Sequence, residues 1–459
     1  MKDRWDVIIV GARCAGASLA TLLARAGQRV LLLEASSRGT GMPQSTHLVH
    51  APGMDVLDTL GLGDRVRAVT PPTRHFRFAL DGSELISEAA PGRDAYCIRR
   101  STLDPWLQDA AESAGTSLYF RHRVVDVLRV GERVTGVVVR TPAGFRRFTA
   151  DLVVGADGRR STVADLVNAE EYLVSESNRA GYWSYYPAPS RWTAAWDATL
   201  EHRAEHLRYV FRCDGEQVLL TYVGTGDAVR AWGRARDERL RAALADSPST
   251  GPLSADKRPV GPSMGLLHAR FFYRRPVGPG YALVGDAGHF KDFVTGQGMT
   301  DAFLDAKRLA GAIVDGRDEA FAAYWRGRDA LTLPLHQDAI RQGDAAFNEP
   351  FMRWVIAHMA EDAALRTRLH QVMDRKLEPA ALIPARTMLG YVASALVRGR
   401  FDVVRGFVAM GRPMREEARE RARRHALYRE AAHALAAAPS MAQGRQPLPC
   451  IHTEKSPAC

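Results

Sequence analysis

Six residues near the N-terminus have the types and spacing that suit phosphate binding. Gly11-Ala12-Arg13-Cys14-Ala15-Gly16 follows the apolar run Val7–Val10 and precedes a pattern of helical spacing. In the dinucleotide fingerprint G-x-G-x-x-G the first glycine permits a tight turn and the last permits close packing of helix on strand. Backbone amides at the helix N-terminus then face a pyrophosphate, and the helix dipole favours its charge. Arg13 stands where the middle glycine would be. Its side chain must point away from the phosphates or pair with one. Glu34 lies about twenty residues further on, at the tip of the next apolar run, where an acid can bond the adenosine ribose hydroxyls. It disfavours a ribose phosphate, so FAD or NAD suits the loop better than NADP.

Two further acid–glycine motifs follow. Leu152-Val153-Val154-Gly155 leads into Ala156-Asp157-Gly158-Arg159-Arg160-Ser161, and Gly285-Asp286-Ala287-Gly288-His289-Phe290 leads through Gly296-Gln297-Gly298 into a helix. Asp-Gly after a strand is by itself a turn signal. An acid beside glycines at a strand end can also bond a chain of sugar-like hydroxyls. The helix N-terminus that follows can stabilise negative charge on a reduced flavin ring. His289 either contacts flavin or substrate, or caps its turn. Trp183, Tyr185 and Tyr186 either wall a flat substrate or simply pack. Cys14 reads as a small residue in a tight turn, with a reactive thiol as the other reading. His202-Arg203-Ala204-Glu205-His206 matches H-x-x-E-H, and with no other peptidase feature it reads as chance. No metal site is expected, because Cys14, Cys97, Cys213, Cys450 and Cys459 are scattered and no pair has zinc spacing.

The elements that must position these residues can be read from periodicity. Residues 5–10 form a buried strand, 15–26 a helix ended by Gly27, and 30–33 a second buried strand, which together make one βαβ unit. Leu103 to about Gly115 is helical, Val124–Leu128 and Val134–Arg140 pair around Gly131-Glu132, and Leu152–Gly155 is buried. Residues 174–274 mix aromatic and polar residues in short alternating runs such as Tyr209–Arg212 and Gln217–Val223, as an antiparallel sheet does. Tyr281–Val284 is a strand, Gly298–Val314 a helix, and the chain is helical from about 317. Over 414–436, Glu417 with Arg421 and Glu420 with Arg424 support a surface helix behind Pro413, with a membrane-surface or partner helix as the alternative.

In this order, the three motifs resemble the FAD-dependent monooxygenase superfamily of the aromatic-hydroxylase type, which includes geranylgeranyl-reductase-like and flavin-halogenase relatives. The resemblance covers roughly residues 1–335. It implies an α/β fold: a Rossmann-type FAD-binding domain (1–173 with 275–335) and a mixed or antiparallel-sheet substrate domain (174–274); beyond it, periodicity predicts a helical C-terminal extension (336–437), and the prolines and lack of periodicity predict a disordered tail (438–459). The resemblance places Gly11, Arg13, Cys14, Ala15, Gly16, Glu34, Ala35, Arg100, Asp157, Gly158, Gly285, Asp286, Gly296, Gly298 and Met299 around FAD. Glu34 would hold the ribose, Asp157 would lie near the pyrophosphate and the passing nicotinamide cofactor, and Asp286 would hold the ribityl chain. Arg99-Arg100-Ser101-Thr102-Leu103-Asp104 is similar to the family's R-x-x-L-D element, which puts Arg100 on the flavin side, with Arg99 as the alternate. Ser45-Thr46-His47 resembles a loop beside the flavin. The catalytic candidates are His47, His289 and Phe293. This chain departs from the family at Ala164, where arginine is usual, and at Phe293, where proline shapes the loop on the reactive face.

The resemblance implies an NAD(P)H- and O2-dependent monooxygenase that hydroxylates an aromatic or enolic small molecule through a flavin hydroperoxide. A reductase of isoprenoid double bonds, a halogenase and a non-catalytic flavin-binding protein are the alternatives. Gly181-Tyr182-Trp183-Ser184-Tyr185-Tyr186-Pro187 matches the halogenase G-W-x-W-x-I-P only at its ends. The 459 residues carry a net charge of +10, mostly arginine interleaved with acids, and no basic patch that would read nucleic acid. The expectations are a cytoplasmic protein without a signal peptide or membrane span, acting on a small molecule, with a homodimer compatible.

Overall fold

The computed structural model describes residues 4–40, 45, 47–203, 205–343, 350–409, 419 and 422; nothing is said of the others. The expected helix over 414–436 and the expected disorder over 438–459 therefore lie outside the described residues, apart from Arg419 and Ala422.

The first sheet has eight strands around a parallel core. Strand Arg4–Val10 lies between Val30–Glu34 and Gly144–Gly155, with Ser117–Phe120 outside the former and Tyr281–Leu283 outside the latter. Ile8-Ile9, Leu31-Leu32 and Val153-Val154 are apolar on successive residues because both faces of the core strands are covered, one by helices Cys14–Arg25 and Gly298–Asp315 and the other by strands Arg123–Val130 and Arg133–Thr141. Helix Cys14–Arg25 packs against helix Gly298–Asp315 on one side. The register brings the motifs together. Val10 is level with both Leu33 and Gly155, and Gly155 is level with Leu283. Gly11, Glu34, Ala156 and Val284 thus leave or end their strands at one carboxyl edge, where the strand order turns back on itself. That edge is where open α/β sheets bind ligands.

The second sheet is mixed and has ten strands. Its main path runs Val260–Leu266, Arg179–Pro187, Gln217–Thr225, His206–Cys213, Ala198–Arg203, His75–Leu80 and Ser83–Glu88. Neighbours are antiparallel except Ala198–Arg203, which runs parallel to His75–Leu80. Five short strands between Leu48 and Cys97 belong to this sheet although the chain reaches them before residue 173. The N-terminal segment therefore crosses from the first sheet to the second and back. A third, small sheet joins Glu171–Ser177, Ala269–Arg274 and His289–Phe290.

Two elements differ from the sequence reading. The helix expected from Leu103 begins at Arg100, because Pro105 falls in its first turns, where a missing N–H costs little. The strand expected at Leu152–Gly155 is the end of a longer one, Gly144–Gly155, whose exposed first half alternates and pairs with Arg133–Thr141.

The helical region runs through Asp318–Gly343, which crosses the boundary expected at 335, into the extension helices Pro350–Glu361, Ala363–Met373, Ala385–Val397 and Phe401–Ala409. Phe351, Val355, Met359, Leu365, Ala395 and Val403 form its core and close over Leu85 of the second sheet.

Candidate functional site

The loop that leaves the first strand is made by two glycines whose side-chain hydrogens cannot be replaced. Gly11 has φ +104°, and a Cβ there would meet the Ala156 carbonyl oxygen at 2.5 Å. A Cβ at Gly16 would stand 1.8 Å from the Gly11 carbonyl oxygen. The turn and the helix are therefore pressed onto the neighbouring strand ends. Arg13 is the N-cap of the helix in extended conformation. Glu34 is buried at the tip of its strand. One carboxylate oxygen accepts the Ala12 amide at 2.9 Å, and the other accepts the amide and hydroxyl of Ser36 at 2.9 and 2.6 Å. Burial alone would raise its pKa, but the Ser36 and Ala12 donors hold the carboxyl below its ordinary value. It is ionised at neutral pH.

These ends border a cleft of about 480 Å³. Of the residues expected around FAD, Gly11, Arg13, Cys14, Ala15, Glu34, Ala35, Arg100, Asp157, Gly158, Asp286, Gly296, Gly298 and Met299 line it. Gly16 and Gly285 shape it from behind, Gly285 at φ +60° with a virtual Cβ 3.0 Å from that of Ala15. Asp157 also serves its own turn. It accepts from the Ser161 hydroxyl and from the Val163 amide at 3.2 Å, while Ser161 caps the short helix at Ala164. Ala164 is buried under that cap. Asp286 differs: it is half-buried, and among the described residues no hydrogen bond is made to its carboxylate. Burial raises its pKa, opposed by the charges of His289 and Arg100.

The two adjacent arginines separate cleanly. Arg99 turns away and grips Asp214 with Nε at 3.1 Å and Nη2 at 2.9 Å, while its amide donates to the same carboxylate. Arg100 lines the cleft, held by Asp104 at 2.6 Å from Nε. Cys14 lies beside them. Burial pushes its thiol up to about 12, so it stays protonated and acts as a small packed residue.

His47 does not line the cleft, although Ser45 does. It sits at φ +60°, its Nδ1 accepts the Arg100 amide at 3.2 Å, and its Nε2 meets the Tyr185 hydroxyl. An acceptor at Nδ1 puts the proton of the neutral ring on Nε2. Burial, helped by Arg100, depresses its pKa to about 3. His47 therefore ties the loop to the helix start and to the second sheet, and it is no proton carrier near neutrality. Trp183 and Tyr185 pack on one face of their strand, in the cluster that holds Leu48, Phe76 and Phe211, and Tyr186 packs on the other face. None of the three lines the cleft or the second cavity, so of the two readings packing is the one they fit. His202 and His206 occupy opposite strands of a hairpin, and among the described residues no group is arranged to hold a metal ion.

The segment after Asp286 carries a feature that the motif alone did not reveal. Lys291 is buried, lines the cleft and meets Asp301 at 2.5 Å; Asp292 pairs with Arg179. His289 is stacked on Tyr273, 3.4 Å from Asp305 and 3.9 Å from Asp301. Arg375 reaches in from the extension to Gln297 at 2.7 Å and to Asp301. Burial lowers the Lys291 pKa to about 8 against the pull of Asp301, so it still carries charge at neutral pH. Phe293 lines the cleft and packs against the core of the second sheet.

A second, apolar cavity of about 70 Å³ adjoins the cleft, and Leu48 and Gln297 line both. Phe76, Phe78, Tyr209 and Phe211 of the second sheet form its floor. Leu335, Leu369, Val372 and Met373 of the extension form its roof. The alternation His75-Phe76-Arg77-Phe78 was the available signal for the floor; nothing local marked the roof.

The comparisons agree with this architecture. The family model described as "FAD binding domain" matches residues 4–329. The chain belongs to that family and is a flavoprotein. It is 34% identical over 166 residues to the "Probable electron transfer flavoprotein-quinone oxidoreductase YdiS" of Escherichia coli (strain K12), covering 35% of this chain and 38% of that protein. It is 31% identical over 169 residues to a 12-dehydrotetracycline 5-monooxygenase/anhydrotetracycline 6-monooxygenase of Streptomyces rimosus, covering 36% of this chain and 33% of that one. These alignments span 38% and 33% of the two relatives. The structure of the flavin-dependent brominase Bmp2 superposes with TM-score 0.72 at 18% identity, over 86% of this chain and 99% of that one, which shows the shared fold.

Proposed function

We propose that this chain is an FAD-dependent oxidoreductase that uses NAD(P)H and O2 to hydroxylate an aromatic or enolic small molecule. The observation that carries the reading is the apolar, aromatic-floored cavity sharing Leu48 and Gln297 with the FAD cleft. The monooxygenase named among the relatives supports it.

The residues present fit FAD. The strand-end glycines leave backbone where a pyrophosphate would lie. At Gly298, the first residue of an 18-residue helix, a Cβ would meet nothing within 4 Å. The half-buried Asp286 carboxylate suits a hydroxyl chain. When bound, the flavin supplies hydride acceptance and oxygen activation. Ionised Glu34 would hold the ribose. Lys291 and the N-terminus of helix Gly298–Asp315 place positive potential on the cleft wall where a reduced ring needs it. Asp301 is held between Lys291 and Arg375 and balances one of the two positive charges.

An engineered apolar cavity of about 150 Å³ takes benzene. At about 70 Å³, this cavity admits an aromatic ring once wall side chains move, and Met373 is the most adaptable of them. The test is NAD(P)H consumption by the FAD-loaded protein with a panel of phenols, under air and under nitrogen. Substrate-stimulated consumption with product formed only under air is expected. Product formed anaerobically would refute the reading.

A further inference from the structure

Large apolar side chains exposed at the surface are scattered singly along most of the chain, from Val69 to Val314. The last two described helices break that pattern. Leu389, Leu396, Val397, Phe401 and Val408 are all exposed within one short stretch, Val397 by 89% and Phe401 by 64%. We propose that this helical hairpin, Ala385–Val397 and Phe401–Ala409, is a docking element for an anionic lipid surface.

The geometry separates two faces. Ala395, Val403 and Gly406 turn inward, the first two joining the core of the extension. Leu389 and Leu396 are seven residues apart on the first helix, and Phe401 and Val408 seven apart on the second, so each pair lies on one stripe. Val397 and Phe401 flank the tip Arg398-Gly399-Arg400, which Gly399 turns at φ +66°. Contiguous apolar surface of this kind marks an interaction site.

Charge selects the occupant. Arg386, Arg398, Arg400 and Arg405 are exposed around the stripe, and the single acid, Asp402, is bound to Arg400 at 2.8 Å. Arg398 and Arg400 are held at the tip over the Trp354 ring, 5.5 and 5.6 Å from its centre. A second copy would set this positive face against itself. The chain that follows, 410–437, is also basic, with seven arginines against four glutamates. An anionic bilayer complements both the apolar tip and the arginine rim, which is the arrangement of interfacial helices. Among the described residues no helix is long and apolar enough to cross a membrane, so the element lies on the surface.

The test is co-flotation of the full-length, FAD-loaded protein with vesicles of phosphatidylcholine alone or mixed with phosphatidylglycerol. Binding to the mixed vesicles is expected, weakened by salt and by omitting the anionic lipid. The double variant Val397→Glu/Phe401→Glu should bind at least about tenfold less. Both positions face solvent, so FAD content and circular dichroism should be unchanged and report that the variant is folded. Three results would overturn the proposal. The intact chain could fail to float with any vesicle. The double variant could bind as well as the parent. Or the substitutions could change the sedimenting mass without vesicles, which would make the hairpin a self-association face.

Discussion

The FAD cleft and the apolar cavity beside it are built by opposite means. The cleft is made where four strand ends come level, and its key contacts lie within a few residues of each other in three short motifs. The cavity is made from side chains that no motif joins: Phe76 and Phe211 from strands of the second sheet, Leu369 and Met373 from a helix of the extension. One site is fixed at Gly11 and Gly16 by backbone geometry that tolerates no added atom. The other is fixed by packing that can adjust. The cofactor should therefore be sensitive to single methyl-sized changes in the cleft, and substrate choice should be open to changes in the cavity roof.

Replacing Gly16 by Val should have the largest effect. A Cβ would stand 1.8 Å from backbone with nothing flexible to yield, and the purified variant should lack flavin absorbance altogether. Next come the two arginines. Arg99→Met strands the Asp214 carboxylate and should cost about 3–5 kcal/mol of stability, read as a lowered denaturation midpoint, while FAD is still bound. Arg100→Met should instead lower FAD affinity.

His47 adds a pH test of similar size. Its folded pKa, about 3, lies below its ordinary value. The unfolded chain therefore takes up the proton first as pH falls. The stability is fully present above about pH 6.5 and is lost toward pH 3, a loss on the order of 4 kcal/mol for this ring. His50, which burial also holds at about 3, adds a parallel loss. His47→Gln should flatten the acid limb of denaturation. The pH profile of turnover between 5 and 8 should keep its shape, because His47 does not titrate there; a displaced profile would mean that it carries protons in catalysis.

Asp286→Ala should raise the FAD dissociation constant about 10- to 100-fold, as loss of charge-assisted hydrogen bonds does, measured by flavin fluorescence. The smallest effect is expected in the roof. Met373→Ala should leave FAD binding unchanged and shift the preferred phenol toward larger rings by a few-fold in kcat/KM.

The same contrast explains what the sequence disclosed. The βαβ unit, the glycine loop and Glu34 were legible because a buried strand, a tight turn and a capped helix are local. Arg100 was put on the flavin side only through the resemblance of its R-x-x-L-D element; the partner that turns Arg99 away, Asp214, is brought near only by the fold. The aromatic wall was sought at Trp183, Tyr185 and Tyr186. The strand's alternation sends Tyr186 to the far face, while Tyr185 is spent on His47. The parallel pairing of Ala198–Arg203 with His75–Leu80 joins segments more than a hundred residues apart, and no local signal announces it. The charges behind the flavin loop, Lys291, Asp301 and Arg375, were hidden for the same reason.

The most direct test of the account is oxygen tracing. The FAD-loaded protein, NAD(P)H and a stimulating phenol are incubated under ¹⁸O₂, and the product is weighed by mass spectrometry. One labelled oxygen atom in the hydroxylated product is predicted. A product without label, or the same product formed without oxygen, would contradict it.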